Sequence, residues 1–234
     1  FTAIQQNCIA GAEIGKFWRC FVENKDILNH IDHTLLKASA NKEEILKLCT
    51  EAVRYHTASV CIPPAYVKFA RAHFPLLNIC TVIGFPLGYG TKETKVFETA
   101  DALHNGADEV DMGINLTEVK NGAFDKVTDE ISAVRKAAEG RILKVIIETC
   151  FLNEEEKIRL CRCVSDAGAD YIKTSTGFGS GGAEKEDILL FQKHLAKGVK
   201  IKAAGGIRTK EDMTAFIELG CDRIGTSSAG LLFS

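Results

Sequence analysis

The sequence lacks the features that mark membrane, secreted and nucleic-acid-binding proteins. No run approaches the roughly 18 consecutive apolar residues typical of a transmembrane helix. The first 20 residues have no basic start followed by an apolar stretch, so they do not resemble a signal peptide. Basic residues (29) and acidic residues (31) nearly balance. A net charge of −2 therefore predicts neither a nucleic-acid partner nor a polybasic membrane patch.

The nine cysteines are scattered and odd in number, and no two form a CxxC pair. A secreted disulfide framework is normally shorter and denser in cysteine. Cys161 and Cys163 form a lone CxC on a predicted helix with no cluster of histidines nearby, a pattern that does not favour zinc. We therefore expect reduced thiols in a cytoplasmic protein, with no metal.

Short apolar runs alternate with helical patterns along the chain. A helical segment over roughly 3–27 comes first, and strand-like runs then begin near residues 29, 58, 78, 108, 143, 171, 200 and 223. Eight such units predict a single-domain α/β fold, a TIM (β/α)8 barrel over 28–234 with a helical extension over 1–27. A doubly wound open sheet is the alternative, but it calls for a GxGxxG turn after the first strand, which is missing there.

Three predicted strands contain a charged residue inside an apolar run, namely Asp111, Lys173 and Lys202. Buried charges are costly, so they persist with partners or for a purpose; an ion pair inside the barrel is the structural alternative. A lysine beside another cation can be populated as the neutral amine, which attacks a carbonyl to form a Schiff base. Asp111 could then accept and return protons. This set suits carbon–carbon bond cleavage through an imine, without a cofactor.

Glycine and hydroxyl residues follow the last three predicted strands, at 176–182, 204–209 and 225–230. Barrels often bind phosphate at such loops, because glycine lets backbone N–H groups approach an anion. Tight turns are the alternative explanation for one such loop. Three consecutive units with the same pattern favour a phosphate site.

Weaker candidates lie at the ends of other predicted strands. Asp32 and Thr34 end the first strand and could bind a sugar hydroxyl. Cys61 ends the second strand, where apolar packing is favoured over a polar role. Lys144 and Glu148 are predicted to share one face of the fifth strand and to form a supporting ion network.

Eight segments together resemble the deoxyribose-phosphate aldolase family, in order and over residues 28–230. They are IDHTLLK (31–37), SVCIPP (59–64), VIGFPLG (82–88), GADEVDMGIN (106–115), LKVIIET (143–149), GADYIKTSTGF (168–178), IKAAGGIRT (201–209) and RIGTSSAG (223–230).

The resemblance implies a class I aldolase on a TIM barrel. Such an enzyme cleaves 2-deoxy-D-ribose 5-phosphate to D-glyceraldehyde 3-phosphate and acetaldehyde, in deoxyribonucleotide breakdown, without a cofactor. The implied partner is a sugar phosphate, and a homodimer or larger homo-oligomer is possible. Another Schiff-base aldolase, a transaldolase-like enzyme and a non-catalytic metabolite-binding barrel are the alternatives.

The resemblance also implies residue roles. Lys173 takes the position of the family's Schiff-base lysine. Lys202 takes the position of the second lysine, which tunes the pKa of the first and transfers protons. Asp111 takes the position of the proton-relay aspartate. The implied phosphate-binding positions are Gly177, Gly205, Gly206, Gly225, Ser227 and Ser228. The implied sugar-binding positions are Asp32, Thr34, Cys61 and Thr176.

One departure from the family pattern concerns the phosphate. Some members have a lysine after TSTG that helps to bind it, and this chain has Phe178 there, as other members do. We therefore expect weaker charge compensation at that loop, with backbone donors and Arg208 contributing instead.

Overall fold

Eight parallel strands close into a barrel in which each strand pairs with the next in sequence and the last pairs with the first. The structure, a computed structural model, describes residues 24–233. The predicted barrel is confirmed, and the open doubly wound sheet is excluded. The strands are β1 (Ile31–Thr34), β2 (Ser59–Ile62), β3 (Ile79–Ile83), β4 (Glu109–Gly113), β5 (Ile142–Ile146), β6 (Tyr171–Lys173), β7 (Lys200–Ala204) and β8 (Arg223–Thr226).

Helices surround the barrel and cover its outer face. Within residues 24–233 they are α1 (Asn24–Leu28), α2 (Lys42–Tyr55), α3 (Val67–His73), α4 (Lys92–His104), α5 (Leu116–Lys120), α6 (Phe124–Ala137), α7 (Glu154–Asp166), α8 (Lys185–His194), α9 (Lys210–Glu218) and α10 (Ala229–Leu232). Helices α2 and α7 each begin at a capping box, in which Asn41 or Asn153 and the glutamate three residues later exchange hydrogen bonds. None of the helices described between residues 24 and 233 is long and apolar enough to cross a membrane.

The strands read as near-continuous apolar runs because both of their faces are buried. On β4, Val110 and Met112 belong to the hydrophobic core outside the barrel, whereas Glu109 and Asp111 point into the lumen. Polar residues that face the lumen thus alternate with apolar residues that face the helices along this strand.

Several predicted boundaries differ from the structure. The first strand begins at Ile31 rather than near residue 29, because residues 24–28 form α1, which packs against α9. After β4, the predicted strand–helix unit contains two helices, α5 and α6, separated where Gly122 adopts a φ of 73°. The rest of the helical segment predicted over 3–27 lies outside the described residues.

Candidate active site

Asp111 lies at the centre of a cluster of charges inside the barrel. Its Oδ2 atom accepts hydrogen bonds from Lys173 Nζ and from Lys202 Nζ, both at 2.7 Å. Its Oδ1 atom accepts one from Lys144 Nζ at 3.0 Å. Lys173 and Lys202 are level in the pairing of β6 with β7, and Asp111 and Lys144 are level in the pairing of β4 with β5. Barrel closure therefore brings the three sequence-predicted residues together.

Asp32 and Glu109 extend this cluster toward the amino-terminal ends of the strands. Asp32 accepts hydrogen bonds from Lys202 and from Arg223, and Glu109 accepts them from Lys144 and, at 3.0 Å, from Arg223 Nη2. The resulting lumen network consists of Asp32, Glu109, Asp111, Lys144, Lys173, Lys202 and Arg223.

Burial and ion pairing oppose each other in the lumen network, and ion pairing prevails. Burial by itself raises the pKa of Asp111, but the cations of Lys144, Lys173 and Lys202 hold that pKa well below its usual value. Burial by itself lowers the pKa of Lys202, but the carboxylates of Asp111 and Asp32 outweigh burial and raise that pKa above its ordinary value. Asp111 and Lys202 are therefore ionised at neutral pH.

A cavity of about 240 Å³, here called the mouth cavity, opens at the carboxyl ends of the strands. Eight predicted site residues line it: Thr34, Lys173, Thr176, Gly177, Gly205, Gly206, Gly225 and Ser227. Asp111 and Lys202 lie below it, fully buried. A larger cavity of about 560 Å³ lies at the opposite end, next to Arg223 and Glu109, but the amine of Lys173 does not line it. The predicted Schiff-base lysine therefore lies at the mouth cavity.

Three other predicted residues do not line the mouth cavity. Asp32 is fully buried in the lumen network, with its carboxylate oxygens bound by Lys202 and Arg223. Cys61 is buried beside Cys80, and Ser228 begins the short helix α10. Their roles toward a substrate remain predictions.

Glu148 orders the loop after β6, and its predicted position on the fifth strand is wrong. Strand β5 ends at Ile146, so Glu148 does not share a strand face with Lys144; it has a φ of 54°, in the left-handed region. Its buried carboxylate accepts hydrogen bonds from the Thr176 backbone N–H, at 3.2 Å, and from the Thr176 hydroxyl. Thr176 Oγ1 in turn accepts one from Phe178 N at 3.0 Å. Glu148 thus holds the loop that lines the cavity.

The glycines of the mouth cavity bring backbone close to backbone. Gly205 has a φ of 88°, and a Cβ added at Gly182 would lie 2.3 Å from the carbonyl oxygen of Gly205. The loops after β6 and β7 can therefore pack this closely only without side chains. Backbone without side chains at this wall of the cavity allows an anion to approach the N–H groups.

Cys80, which sequence reasoning missed, also contacts Asp111. Its thiol donates to Asp111 Oδ1 at 3.1 Å and accepts from Lys144 Nζ at 3.4 Å, and Cys80 pairs in register with Cys61. The alternation of side chains along β3 was the only signal in the sequence that could have placed Cys80 in the lumen. In the described residues, Cys61, Cys80 and Asp111 form the one group of potential metal ligands, within 4.8 Å of one another. Three ammonium groups already bind Asp111, and their charge disfavours a metal cation there.

Comparisons with known proteins point to one family. The model of the DeoC/LacD family aldolases matches residues 27–232. A deoxyribose-phosphate aldolase of Clostridium botulinum strain Eklund 17B is 58% identical over 213 residues, which cover 90% of this chain and 96% of that protein. One from Clostridioides difficile strain 630 is 55% identical over 205 residues, covering 87% and 94%.

A solved structure is similar over nearly the same length. The deoxyribose phosphate aldolase of Aeropyrum pernix, described as having a unique tetrameric structure, superposes with a TM-score of 0.82 at 32% identity. The match covers 88% of this chain and 89% of that one. On the matched family model and on these identities, the chain belongs to the DeoC/LacD family of aldolases.

Proposed function

We propose that this protein cleaves 2-deoxy-D-ribose 5-phosphate to D-glyceraldehyde 3-phosphate and acetaldehyde through a Schiff base on Lys173. The observation that supports this most directly is the position of the Lys173 amine, which lines the mouth cavity and shares Asp111 Oδ2 with Lys202. The names of the relatives support the choice of substrate.

The lumen network contains one more cation than it has carboxylates. Three carboxylates face four cations, which are Lys144, Lys173, Lys202 and Arg223. Of these four, Lys173 lines the mouth cavity, where its proton can pass to solvent. When it does so, three carboxylates remain matched by three cations, and the nitrogen lone pair is free to attack a carbonyl.

The reaction begins when the neutral Lys173 amine attacks the C1 aldehyde of the open-chain sugar phosphate. Loss of water gives a protonated imine, which draws electrons from the C2–C3 bond as the C3 hydroxyl loses its proton. Glyceraldehyde 3-phosphate leaves, and an enamine of acetaldehyde remains on Lys173. Protonation at C2 followed by hydrolysis releases acetaldehyde and restores the amine. The imine is the electron sink, so the reaction requires no cofactor.

Asp111 and Lys202 serve the proton transfers. The ionised carboxylate of Asp111 contacts the Lys173 nitrogen at 2.7 Å, which is within reach of the protons that this nitrogen gains and loses. Lys202 provides a fixed positive charge beside the same oxygen. We assign to that charge a part in the proton transfers at Lys173.

The substrate phosphate is placed at the loops after β6, β7 and β8. The residues that line this side of the mouth cavity are Gly177, Gly205, Gly206 and Ser227. We assign Gly225 and Ser228 to the same site, and Thr34, Thr176, Asp32 and Cys61 to the sugar end.

The organisation of the whole protein is part of the same proposal. Residues 28–234 form the catalytic barrel and residues 1–27 an extension to it. A cytoplasmic homodimer or larger homo-oligomer is the proposed working form, supported by the tetramer described for the Aeropyrum pernix protein. No nucleic acid or membrane takes part.

Reduction with borohydride in the presence of 2-deoxyribose 5-phosphate tests this proposal. Reduction converts the imine to a stable secondary amine, so mass spectrometry is expected to find the added fragment on the peptide that contains Lys173. Lys173→Arg, which keeps the charge but removes the nucleophile, is the control and should take up no label. A native protein without label on that peptide would refute the imine mechanism.

Product analysis separates this activity from the alternatives. Release of acetaldehyde indicates the proposed cleavage, whereas another Schiff-base aldolase or a transaldolase-like enzyme would release a different carbonyl product. Stabilisation by the substrate without any acetaldehyde would indicate a metabolite-binding barrel.

A further inference from the structure

Two cations at the mouth cavity have no side-chain partner among residues 24–233. Lys37 follows β1 and Arg208 follows β7, and both line the cavity together with Gly205, Gly206 and Ser227. Both side chains are exposed, and within residues 24–233 neither forms an ion pair or a side-chain hydrogen bond. The other long basic side chains of the barrel interior are paired with carboxylates.

The lining of the mouth cavity contains positive charge and no negative charge. Among the described residues that line it there is no aspartate or glutamate, whereas Lys37, Lys173 and Arg208 are basic. Lys173 is engaged by Asp111, which leaves Lys37 and Arg208 as the unmatched charges. An unmatched pair of cations beside backbone N–H donors suits a dianion.

The loop after β6 offers no cation of its own to this anion. Phe178 lies after Gly177 and packs edge-to-face on Phe85, with 5.4 Å between the ring centroids. Strand β1 adjoins β8, with His33 level with Thr226. The loop that contains Lys37 therefore begins beside the loop that contains Ser227.

We infer that Lys37 supplies the counter-charge for the substrate phosphate, with Arg208 as the second cation, and that Lys37 thereby sets the preference for phosphorylated over non-phosphorylated substrates. This inference rests on the proposed function. The phosphate sits on the glycine-lined loops after β7 and β8, and the lysine ammonium closes over it from the loop after β1.

Comparison of two substrates tests the role of Lys37. Lys37→Met keeps the length of the side chain and removes its charge. The ratio of kcat/KM for 2-deoxyribose 5-phosphate to that for 2-deoxyribose is expected to fall about tenfold, the effect of losing one charged hydrogen bond. The fall should lie mainly in KM, and Lys37→Arg should restore most of the ratio. An unchanged ratio in Lys37→Met would overturn the inference.

Lys197→Met is the matched control, because Lys197 is an exposed lysine between α8 and β7, at the opposite end of the barrel. It should leave the ratio as in the native protein. An equal fall in Lys197→Met would show a general effect of net charge and would count against a local role of Lys37.

Titration with inorganic phosphate separates this inference from the proposed function. Lys37→Met should bind phosphate about tenfold more weakly than the native protein in isothermal titration calorimetry, whatever the catalysed reaction. A native protein that releases no acetaldehyde would refute the proposed function only. Equal phosphate affinities of the native and Lys37→Met proteins would refute the role of Lys37 only.

Discussion

Asp111 shows how one buried carboxylate can serve both stability and chemistry. Three ammonium groups and the Cys80 thiol surround it, so the ionised form is satisfied in a fully buried position. A buried carboxylate with fewer partners would take up a proton or destabilise the fold. The partners therefore keep Asp111 charged beside the Lys173 nitrogen.

Replacement of Lys202 tests whether its charge serves catalysis. Lys202→Leu keeps much of the bulk and removes the charge shared by Asp111 and Asp32. We expect turnover to fall about 100-fold or more, because the proton transfers at Lys173 lose their neighbouring cation. Steady-state acetaldehyde release measures the effect, and circular dichroism checks that the variant folds.

Lys200→Leu is the control on the same strand, since Lys200 is exposed while Lys202 is buried. Its turnover should stay close to that of the native protein. A folded Lys202→Leu protein with near-native turnover would show that Lys202 is structural.

At the scale of single elements, buried ion pairs also tie helices to the barrel. On α4, Lys95 Nζ donates to Glu130 Oε1 of α6 at 2.6 Å and to the carbonyl of Gly113, which ends β4, at 2.8 Å. Glu130 Oε2 accepts from the backbone N–H of Asn115 at 3.1 Å. The pair thus fixes the two helices and the end of the strand that contains Asp111.

Removal of one partner of this pair should destabilise the protein strongly. Lys95→Met leaves the Glu130 carboxylate buried without its cation, which we expect to lower the free energy of unfolding by about 3 kcal/mol. Urea denaturation measures the loss. The double variant Lys95→Met/Glu130→Met removes both charges and should be more stable than Lys95→Met alone. A double variant as unstable as the sum of the two single changes would contradict this account.

The loops are the elements for which prediction was least complete. Glycine and hydroxyl residues predicted a phosphate site at the loops after β6, β7 and β8, and eight of the predicted site residues line the mouth cavity. The positioning of Thr176 by Glu148 was not predicted, because it depends on a left-handed conformation two residues after β5 ends. No local pattern in the sequence indicates that conformation for a glutamate.

At the scale of the whole molecule, the lumen network makes stability depend on pH. Burial raises the pKa of Asp32 and of Asp111, but the surrounding cations bring both below the ordinary 3.8. Their stabilisation is therefore present above about pH 4 and is lost as the pH falls further. The pKa of Lys144 and Lys202, which burial lowers and the carboxylates raise, lies above the ordinary 10.5. Their stabilisation is present below that pH and is lost above it.

We therefore expect the free energy of unfolding to be nearly constant between about pH 5 and pH 9 and to fall on both sides of that range. Urea denaturation across the pH range measures it. Asp32→Asn removes one of the titrating carboxylates, so its stability should fall less steeply below pH 4 than that of the native protein. Stability that rises on acidification below pH 4 would contradict the charged state of the network.

The sequence by itself determined the architecture and the chemical class. Eight repeats of an apolar run and a helical pattern are local signals, and they were sufficient for a closed parallel barrel. The order of motifs was sufficient for the aldolase family, which the comparisons confirm. Strand ends were less accurate, because they depend on where hydrogen bonding between neighbouring strands stops.

Only the tertiary structure decided which charged atoms meet. Asp32 and Arg223 are 191 residues apart in the chain, and they come into contact because β1 pairs with β8. The place of Asp32 below the mouth cavity, the contact of Cys80 with Asp111 and the unpaired state of Lys37 among the described residues have the same origin. Periodicity assigns a side chain to a face of its strand, whereas closure and register of the barrel determine which side chains it contacts.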